Sequence, residues 1–438
     1  MIQFTKKSKP KGPTNIDILN VGNRCNQNCR QCSYKSEPNL TGISLTGEME
    51  FIEQILYNYT ESNVFVYLKE STTSRGFLPK MKKCGQKKIL SNGREIDDGF
   101  IRGLNKYGIE EIEITLFANL EQQFDFNRNT IGEYQKIKQN IRKCAESGLK
   151  VTINNILDKT TMYSINSLCE QCYELDVKKI EFIRLRPVGN AKYMDRSRLL
   201  EEKDMDIIIP SVEAMKLKYP GLYLSFDIGF GPNFSGKTLE DGKEKVRRAK
   251  QSWVKSPYLC PAINQQYWGI SPKSGNVYWC FFLISEPEIA RIGYANIKNG
   301  RVTIDSPVDL SEETLRKKLK GNCSSENCKY QEACLGGCRS TAYIFARLNG
   351  DSDPLYAGMD ICLTKRYERL YGQGGVKASI EVCGTSGPGS SPDSGPEGDC
   401  MTYRNRDEIR NALQKLLDGK ITKEQYNVIV EMYKPTQE

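Results

Sequence analysis

Between Asn15 and Ile228 short apolar runs alternate with stretches of helical period, and this alternation limits the fold more than any other feature of the chain. Runs at 15–21, 63–69, 110–117, 150–157, 179–185 and 221–228 read as strands; segments near 47–59, 97–107, 130–148, 163–175 and 200–219 read as helices. Strand–helix repeats bring successive strands side by side in parallel, so the expectation is an α/β fold. Thr46 is placed to cap the first helix and Gly148 to end the third. Within the strands, Ile112, Ile114 and Leu116 oppose Glu113 and Thr115, and Val151 and Ile153 oppose Thr152 and Asn154. Ile183 and Leu185 oppose Arg184 and Arg186, and Leu222, Leu224 and Phe226 oppose Tyr223, Ser225 and Asp227. If the sheet curls into a barrel, the apolar face packs under helices and the polar face lines a cavity.

The chain has 16 cysteines and no histidine. The missing imidazole excludes a Ser-His-Asp triad, histidine-ligated zinc catalysis and imidazole base chemistry. Cys25, Cys29 and Cys32 lie within one short loop that follows the first apolar run. Soft thiolates at such spacing suit zinc or an iron–sulfur cluster. Three protein ligands would leave one metal position open, which marks a reactive site rather than a structural one. On these residues alone the two metals remain alternatives.

A basic, Gly/Ser-containing stretch at 231–258 precedes a second set of thiols. Cys260 is followed by Gly275 and Cys280, then by Cys323, Cys328, Cys334 and Cys338, and last by Cys362. Gly336 and Gly337 allow the tight wrap that neighbouring ligands need. Two four-thiolate zinc sites would use the same residue types. Of the remaining cysteines, Cys144, Cys169 and Cys172 sit on predicted helix faces and read as core. The lysine-rich block from Lys80 to Lys88 reads as a solvated loop.

The first motif, three cysteines spaced by three and then two residues, resembles the signature of the radical S-adenosylmethionine superfamily. The second resembles the seven-cysteine SPASM extension found in members that modify peptides and proteins, with four residues rather than two between Cys323 and Cys328. The resemblance implies a partial (βα)6, TIM-like barrel, a C-terminal cysteine-rich SPASM domain and a small helical appendage. It implies S-adenosylmethionine and three [4Fe-4S] clusters as cofactors. Cys25, Cys29 and Cys32 would hold the reactive cluster. Cys260, Cys280 and Cys338 would hold a nearer auxiliary cluster, and Cys323, Cys328, Cys334 and Cys362 a farther one. Glu70 stands where the family has Gly-Gly-Glu, without the glycines, and would receive the methionyl ammonium. Gln31 replaces the family's aromatic residue beside the last cluster cysteine. Asn154 and Arg184 or Arg186 resemble the groups that hold the carboxylate and ribose.

The implied activity is reductive cleavage of S-adenosylmethionine to a 5′-deoxyadenosyl radical that modifies a ribosomally made peptide by a crosslink, thioether or epimerisation. The implied partners are that peptide and a flavodoxin- or ferredoxin-like electron donor. Sulfatase maturases share the cluster pattern but carry a base carboxylate after the second auxiliary cysteine, where Phe281 stands here. A small-molecule radical enzyme and a non-enzymatic zinc adaptor are the other readings. The expected domains are 1–230 for the barrel, 231–258 as a bridge, 259–371 for the auxiliary clusters, 372–404 as a Gly/Pro/Ser linker and 405–438 as a helical hairpin. No leader-binding extension is read ahead of Asn15. Cys383 and Cys400 bracket the Gly/Pro/Ser-rich stretch, and either could complete the nearer cluster or donate a hydrogen atom to a substrate radical. With no apolar run of membrane-spanning length, no signal-peptide pattern and a formal net charge of +9, the expectation is a cytoplasmic protein with no membrane or nucleic-acid partner.

Overall fold

The computed structural model describes residues 12–22, 25–33, 45–227, 260, 262–263, 266–305, 308–328, 331, 335–362 and 366. Residues 1–377 pack as one compact unit and residues 378–438 form a second. All of the second, with Cys383, Cys400, the 372–404 stretch and the 405–438 hairpin, lies outside the described residues, as do Cys334 and all of 231–258.

Seven strands run in parallel through the first half of the chain: β1 (Asn15–Val21), β2 (Asn63–Leu68), β3 (Lys88–Ser91), β4 (Glu111–Thr115), β5 (Lys150–Leu157), β6 (Lys179–Arg184) and β7 (Tyr223–Asp227). They alternate with α1 (Leu45–Asn58), α2 (Leu78–Lys83), α3 (Asp98–Lys106), α4 (Glu121–Arg128), α5 (Tyr134–Glu146), α6 (Ile165–Glu174) and α7 (Met205–Lys218). The α/β architecture fits the expected partial barrel, with one strand more than the alternation suggested. That strand, β3, and α2 occupy the lysine-rich block read as a loop. Four of its lysines are paired: Lys80 and Lys83 with Glu53, the latter at 2.9 Å, Lys87 with Glu110 at 2.5 Å and Lys88 with Glu113 at 2.6 Å. The cap assigned to Thr46 is displaced, because α1 already begins at Leu45. Gly148 does follow α5, with φ at +85° and its N–H bonded to the carbonyl of Ala145.

The strands form two hydrogen-bonded sheets, β3-β4-β5-β6-β7 and a six-stranded one in which β1 is flanked by β2 and by β8 (Tyr267–Ile270). Antiparallel strands β9 (Asn276–Tyr278), β10 (Arg291–Ala295) and β11 (Val302–Ile304) extend that sheet beyond β8. The cysteine-rich half thus continues the sheet of β1, through a parallel pairing of Asn15–Ile18 with Tyr267–Ile270. Between β2 and β3 the buried side chain of Gln86 stands in for a ladder. Its Oε1 accepts the Val66 N–H at 2.9 Å, and its Nε2 donates to the carbonyls of Val66 and Lys88 at 3.3 and 2.7 Å. One amide side chain satisfies edge groups that would otherwise be buried without partners.

The outer faces of β4 and β5 bury Ile112, Ile114, Val151 and Ile153 completely, as a helix-covered face requires. The inner faces carry Asp17, Tyr67, Lys88, Glu113, Asn154 and Glu181. Glu113 accepts from Asn154 and Lys88, and the Tyr67 hydroxyl feels the charges of Asp17, Glu113 and Glu181. The polar interior read from β4 and β5 is present. On β6 the phase is reversed: Ile183 shares a face with Lys179 and Glu181, whereas the fully buried Arg184 lies with Ile180 and Phe182. The pairing of Glu181 with Asn154 sets that phase, and Asp360 offsets the arginine's charge on the far side.

Candidate functional site

The thiol loop is held at the carboxyl ends of the strands by groups from three directions. Asn190 donates its backbone N–H to the Cys32 carbonyl at 2.8 Å and its Nδ2 to the Cys29 carbonyl at 2.9 Å. Gly189 before it has φ +61°, and a Cβ there would lie 2.5 Å from the Cys32 carbonyl oxygen, so only glycine lets the two backbones meet. From α4, the Asn127 carbonyl accepts the Arg30 N–H at 2.9 Å. From the end of β3, Asn92 Nδ2 donates to Asn26 Oδ1 at 2.6 Å and approaches Cys25 Sγ at 3.8 Å.

Cys25 is exposed, and Cys29 and Cys32 are half-buried. Burial pushes the Cys29 thiol up to about 12, and Arg128 opposes that rise while Cys32 and Cys25 add to it. Cys25 is likewise raised, mainly by burial. The three sulfurs therefore sit in one another's field, beside a guanidinium that is itself fully buried. Arg128 donates to the Asn92 carbonyl at 2.6 Å, lies over the rings of Phe117 and Phe124, and leaves its Nε without an acceptor. Burial depresses its pKa, and Cys29, Glu133, Glu70 and Cys25 counter that. A buried cation beside three thiols fits a group that gathers negative charge there, as an iron–sulfur cluster on thiolates does. Among the described residues, no three cysteine or acidic side chains close around a single ion.

Glu70 ends β2 at this site. Its Oε1 accepts from the Thr72 N–H, the Thr72 hydroxyl and the Ser91 hydroxyl at 3.0, 2.8 and 2.7 Å, and its Oε2 accepts the Asn92 N–H at 2.7 Å. Those four bonds use about the full acceptor capacity of a carboxylate. Glu70 therefore ties β2 to β3, and Asn92 passes the connection on to Arg128. Gln31 is buried and donates to Asp158 at 3.2 Å, and Arg198 Nε bonds the same oxygen at 2.8 Å. Asn154 faces the lumen, with Nδ2 on Glu113 and its buried Oδ1 unpartnered.

The two arginines turn to the cysteine-rich half. Arg184 bonds Asp360 at 2.8 Å and lies 3.7 Å over the Phe345 ring. Arg186 donates to Thr341 Oγ1 at 2.8 Å and lies 3.9 Å over Phe282. There a second trio of thiols meets, drawn from distant parts of the chain. Burial raises Cys260 to about 11, with Cys338 adding to it; burial, Cys338 and Cys260 together raise Cys280 further. Cys338 is the N-cap of the helix Arg339–Leu348, whose first-turn hydroxyls reach its sulfur, Thr341 at 3.2 Å and Ser340 at 3.3 Å. Cys323 and Cys328 are buried and Cys362 half-buried; Cys323 Sγ accepts the Met359 N–H at 3.4 Å.

Fold and thiol loop together define a partial α/β barrel with three cysteines gathered on one loop at its carboxyl end. No protein-family model matches the chain. Fe-coproporphyrin III synthase of Methanosarcina barkeri is 23% identical over 257 residues, covering 56% of this chain and 63% of that protein. GTP 3′,8-cyclase of Clostridium perfringens is 27% identical over 177 residues, covering 38% of this chain and 54% of that protein. The chain thus spans less than two thirds of the length of these relatives. Among solved structures, Streptococcus suis SuiB bound to S-adenosylmethionine superposes with a TM-score of 0.57 at 15% identity, over 80% of this chain and 77% of that one. Native anSMEcpe with bound AdoMet gives a TM-score of 0.57 at 16% identity, over 83% of this chain and 97% of that one. The chain shares its fold with these S-adenosylmethionine-bound structures. No helix among the described residues is long and apolar enough to cross a membrane.

Proposed function

We propose that the protein is a radical S-adenosylmethionine enzyme of the SPASM type that modifies a peptide. The observation that carries the SPASM reading is the meeting of Cys260, Cys280 and Cys338 around a helix N-terminus, far in sequence from the superfamily loop. Structures of similar fold include SuiB bound to its precursor peptide SuiA and anSMEcpe with a Cys-containing peptide, which supports a peptide substrate by analogy.

In this reading Cys25, Cys29 and Cys32 hold a [4Fe-4S] cluster. When bound, the cluster and S-adenosylmethionine supply a 5′-deoxyadenosyl radical able to take hydrogen from an inert carbon. The chain's own residues position and shield. Gly189 and Asn190 fix the loop carbonyls, and Arg128 balances the thiolate charge. Glu70 holds the ends of β2 and β3, and would meet a methionyl ammonium only by exchanging one of its four acceptor bonds. Cys260, Cys280 and Cys338 hold a nearer auxiliary cluster, and Cys323, Cys328, Cys334 and Cys362 a farther one. Arg186 contributes to the nearer trio through Thr341 rather than to S-adenosylmethionine, and Arg184 braces the two halves through Asp360. Cys383 and Cys400 stay as the proposed extra ligand or hydrogen donor, and a flavodoxin- or ferredoxin-like protein as electron donor.

Anaerobic purification and iron analysis test this directly. The expected result is brown protein with about twelve irons per chain, roughly four per cluster, that forms 5′-deoxyadenosine with dithionite and S-adenosylmethionine. Colourless zinc protein that forms none would overturn the reading in favour of an adaptor. Cys260→Ala with Cys280→Ala should lower iron by about four per chain and keep 5′-deoxyadenosine formation.

A further inference from the structure

Among the described residues, the lumen of the barrel pairs its carboxylates with one exception. Glu111 faces Lys150 at 3.3 Å, Glu113 faces Lys88 at 2.6 Å, and Glu181 is ion-paired with Lys179. Asp17 on β1 is inside the same lumen, yet among the described residues no lysine or arginine pairs with it. Its Oδ2 accepts only the Tyr267 hydroxyl, at 2.9 Å. A second acceptor on the lumen face is also unused among the described residues: the Oδ1 of Asn154, which is 8% exposed and whose other arm is bound to Glu113.

Beside Asp17 begins a line of half-buried aromatic rings. Phe65 is its cross-strand neighbour; Phe65 and Tyr67 have centroids 4.5 Å apart, and Tyr67 stacks on Phe281 at 6.2 Å and 12°. Phe281 directly follows Cys280 of the second thiol trio. The lumen thus offers an unbalanced carboxylate, a spare carbonyl oxygen and aromatic faces. An anionic group would meet Asp17, Glu113 and Glu181 with like charge. An apolar group would leave Asp17 and Asn154 desolvated without partners. A cation on an aliphatic arm satisfies all three features, taking the carboxylate as counter-ion and the rings as π faces.

We infer that this lumen receives a cationic side chain of the substrate, lysine or arginine, with Asp17 as its counter-ion and Tyr67 and Phe281 as its walls. The inference names the substrate group within the peptide reading above and rests on that reading.

The test is equilibrium binding to the full chain, purified anaerobically, with no S-adenosylmethionine or reductant added. The probes are the N-acetyl methylamides of lysine, arginine and norleucine, followed by ligand-observed NMR titration. At least one cationic probe should bind about tenfold more tightly than norleucine, and the stronger of the two identifies ammonium or guanidinium. Asp17→Asn, checked for folding by circular dichroism, should remove the preference. If that variant does not fold, Tyr67→Leu should weaken the cationic probe several-fold relative to norleucine. Equal affinity for all three probes, no saturable binding, or a preference unchanged in the folded variants would overturn the inference. Because no radical chemistry enters this measurement, its failure leaves the 5′-deoxyadenosine result standing, and the reverse also holds.

Discussion

Two thiol trios sit in this molecule, and they are built on opposite plans. Cys25, Cys29 and Cys32 come from one short loop, are exposed or half-buried, and owe their positions to partners elsewhere: Asn190, Asn92 and Arg128. Cys260, Cys280 and Cys338 come from three separate segments, with Cys260 and Cys338 fully buried, and are served locally by the hydroxyls of Ser340 and Thr341. In the proposed reading the first plan leaves its metal open to a ligand, with a remote arginine balancing charge. The second, in the same reading, would enclose its metal and set its properties through short hydrogen bonds, as outer partners of a metal site do. Accessibility, more than ligand type, separates a site for chemistry from one for electron handling.

The largest effect should come from exchanging the trios' fates. Cys29→Ala is expected to abolish 5′-deoxyadenosine formation, whereas Cys280→Ala keeps it and stops product formation from substrate; chromatography of the two reactions separates them. If both variants lose 5′-deoxyadenosine, the trios are not functionally distinct. Next, Arg128→Met should cost roughly 2–4 kcal/mol in urea unfolding, because the Asn92 carbonyl loses its buried donor and the aromatic pocket its cation. It should also lower iron retention at the first trio only.

Asp17→Asn addresses the lumen between them. Burial lifts the Asp17 carboxyl from 3.8 to about 7, against the opposing Tyr267 hydrogen bond, with Tyr67 the other titratable group beside it. A carboxyl raised on folding binds more protons in the native state, so wild-type stability falls as pH rises from about 4 to about 7. Asp17→Asn should remove that slope and be more stable than wild type at pH 8 by roughly 2–4 kcal/mol, as thermal melts across the pH range would read. The smallest effect is expected at the enclosed trio: Thr341→Val removes one hydroxyl from Cys338 and should cost about 1 kcal/mol. The same substitution should lower the reduction potential of the cluster held there, leaving that of the first cluster unchanged.

How much of this was readable beforehand follows from how local each signal is. Strands β4 and β5 carried their phase openly, since Ile112, Ile114, Val151 and Ile153 alternate with polar residues over a full strand. The cysteine spacings were legible because chelation by a loop is a short-range pattern. Strand β3 was hidden: four residues starting at Lys88, amid a lysine block, give no period. Helix α4, Glu-Gln-Gln-Phe-Asp-Phe-Asn-Arg, lacks a clear apolar stripe, so Arg128 at its end went unnoticed. Its value comes from a loop about a hundred residues earlier, which no local pattern encodes. Arg184 was assigned to the wrong face because alternation near a strand end does not fix its own phase; the neighbour's register does.

The Gln86 bridge has a consequence for the barrel wall. Elsewhere neighbouring strands are joined by backbone ladders, but here side chains fasten two sheets that each keep their own partners: Gln86 bonds Val66 and Lys88, and Glu70 bonds Ser91 and Asn92. The distance between β2 and β3 is therefore set by side chains, so a single substitution can alter it without breaking a strand pairing in either sheet.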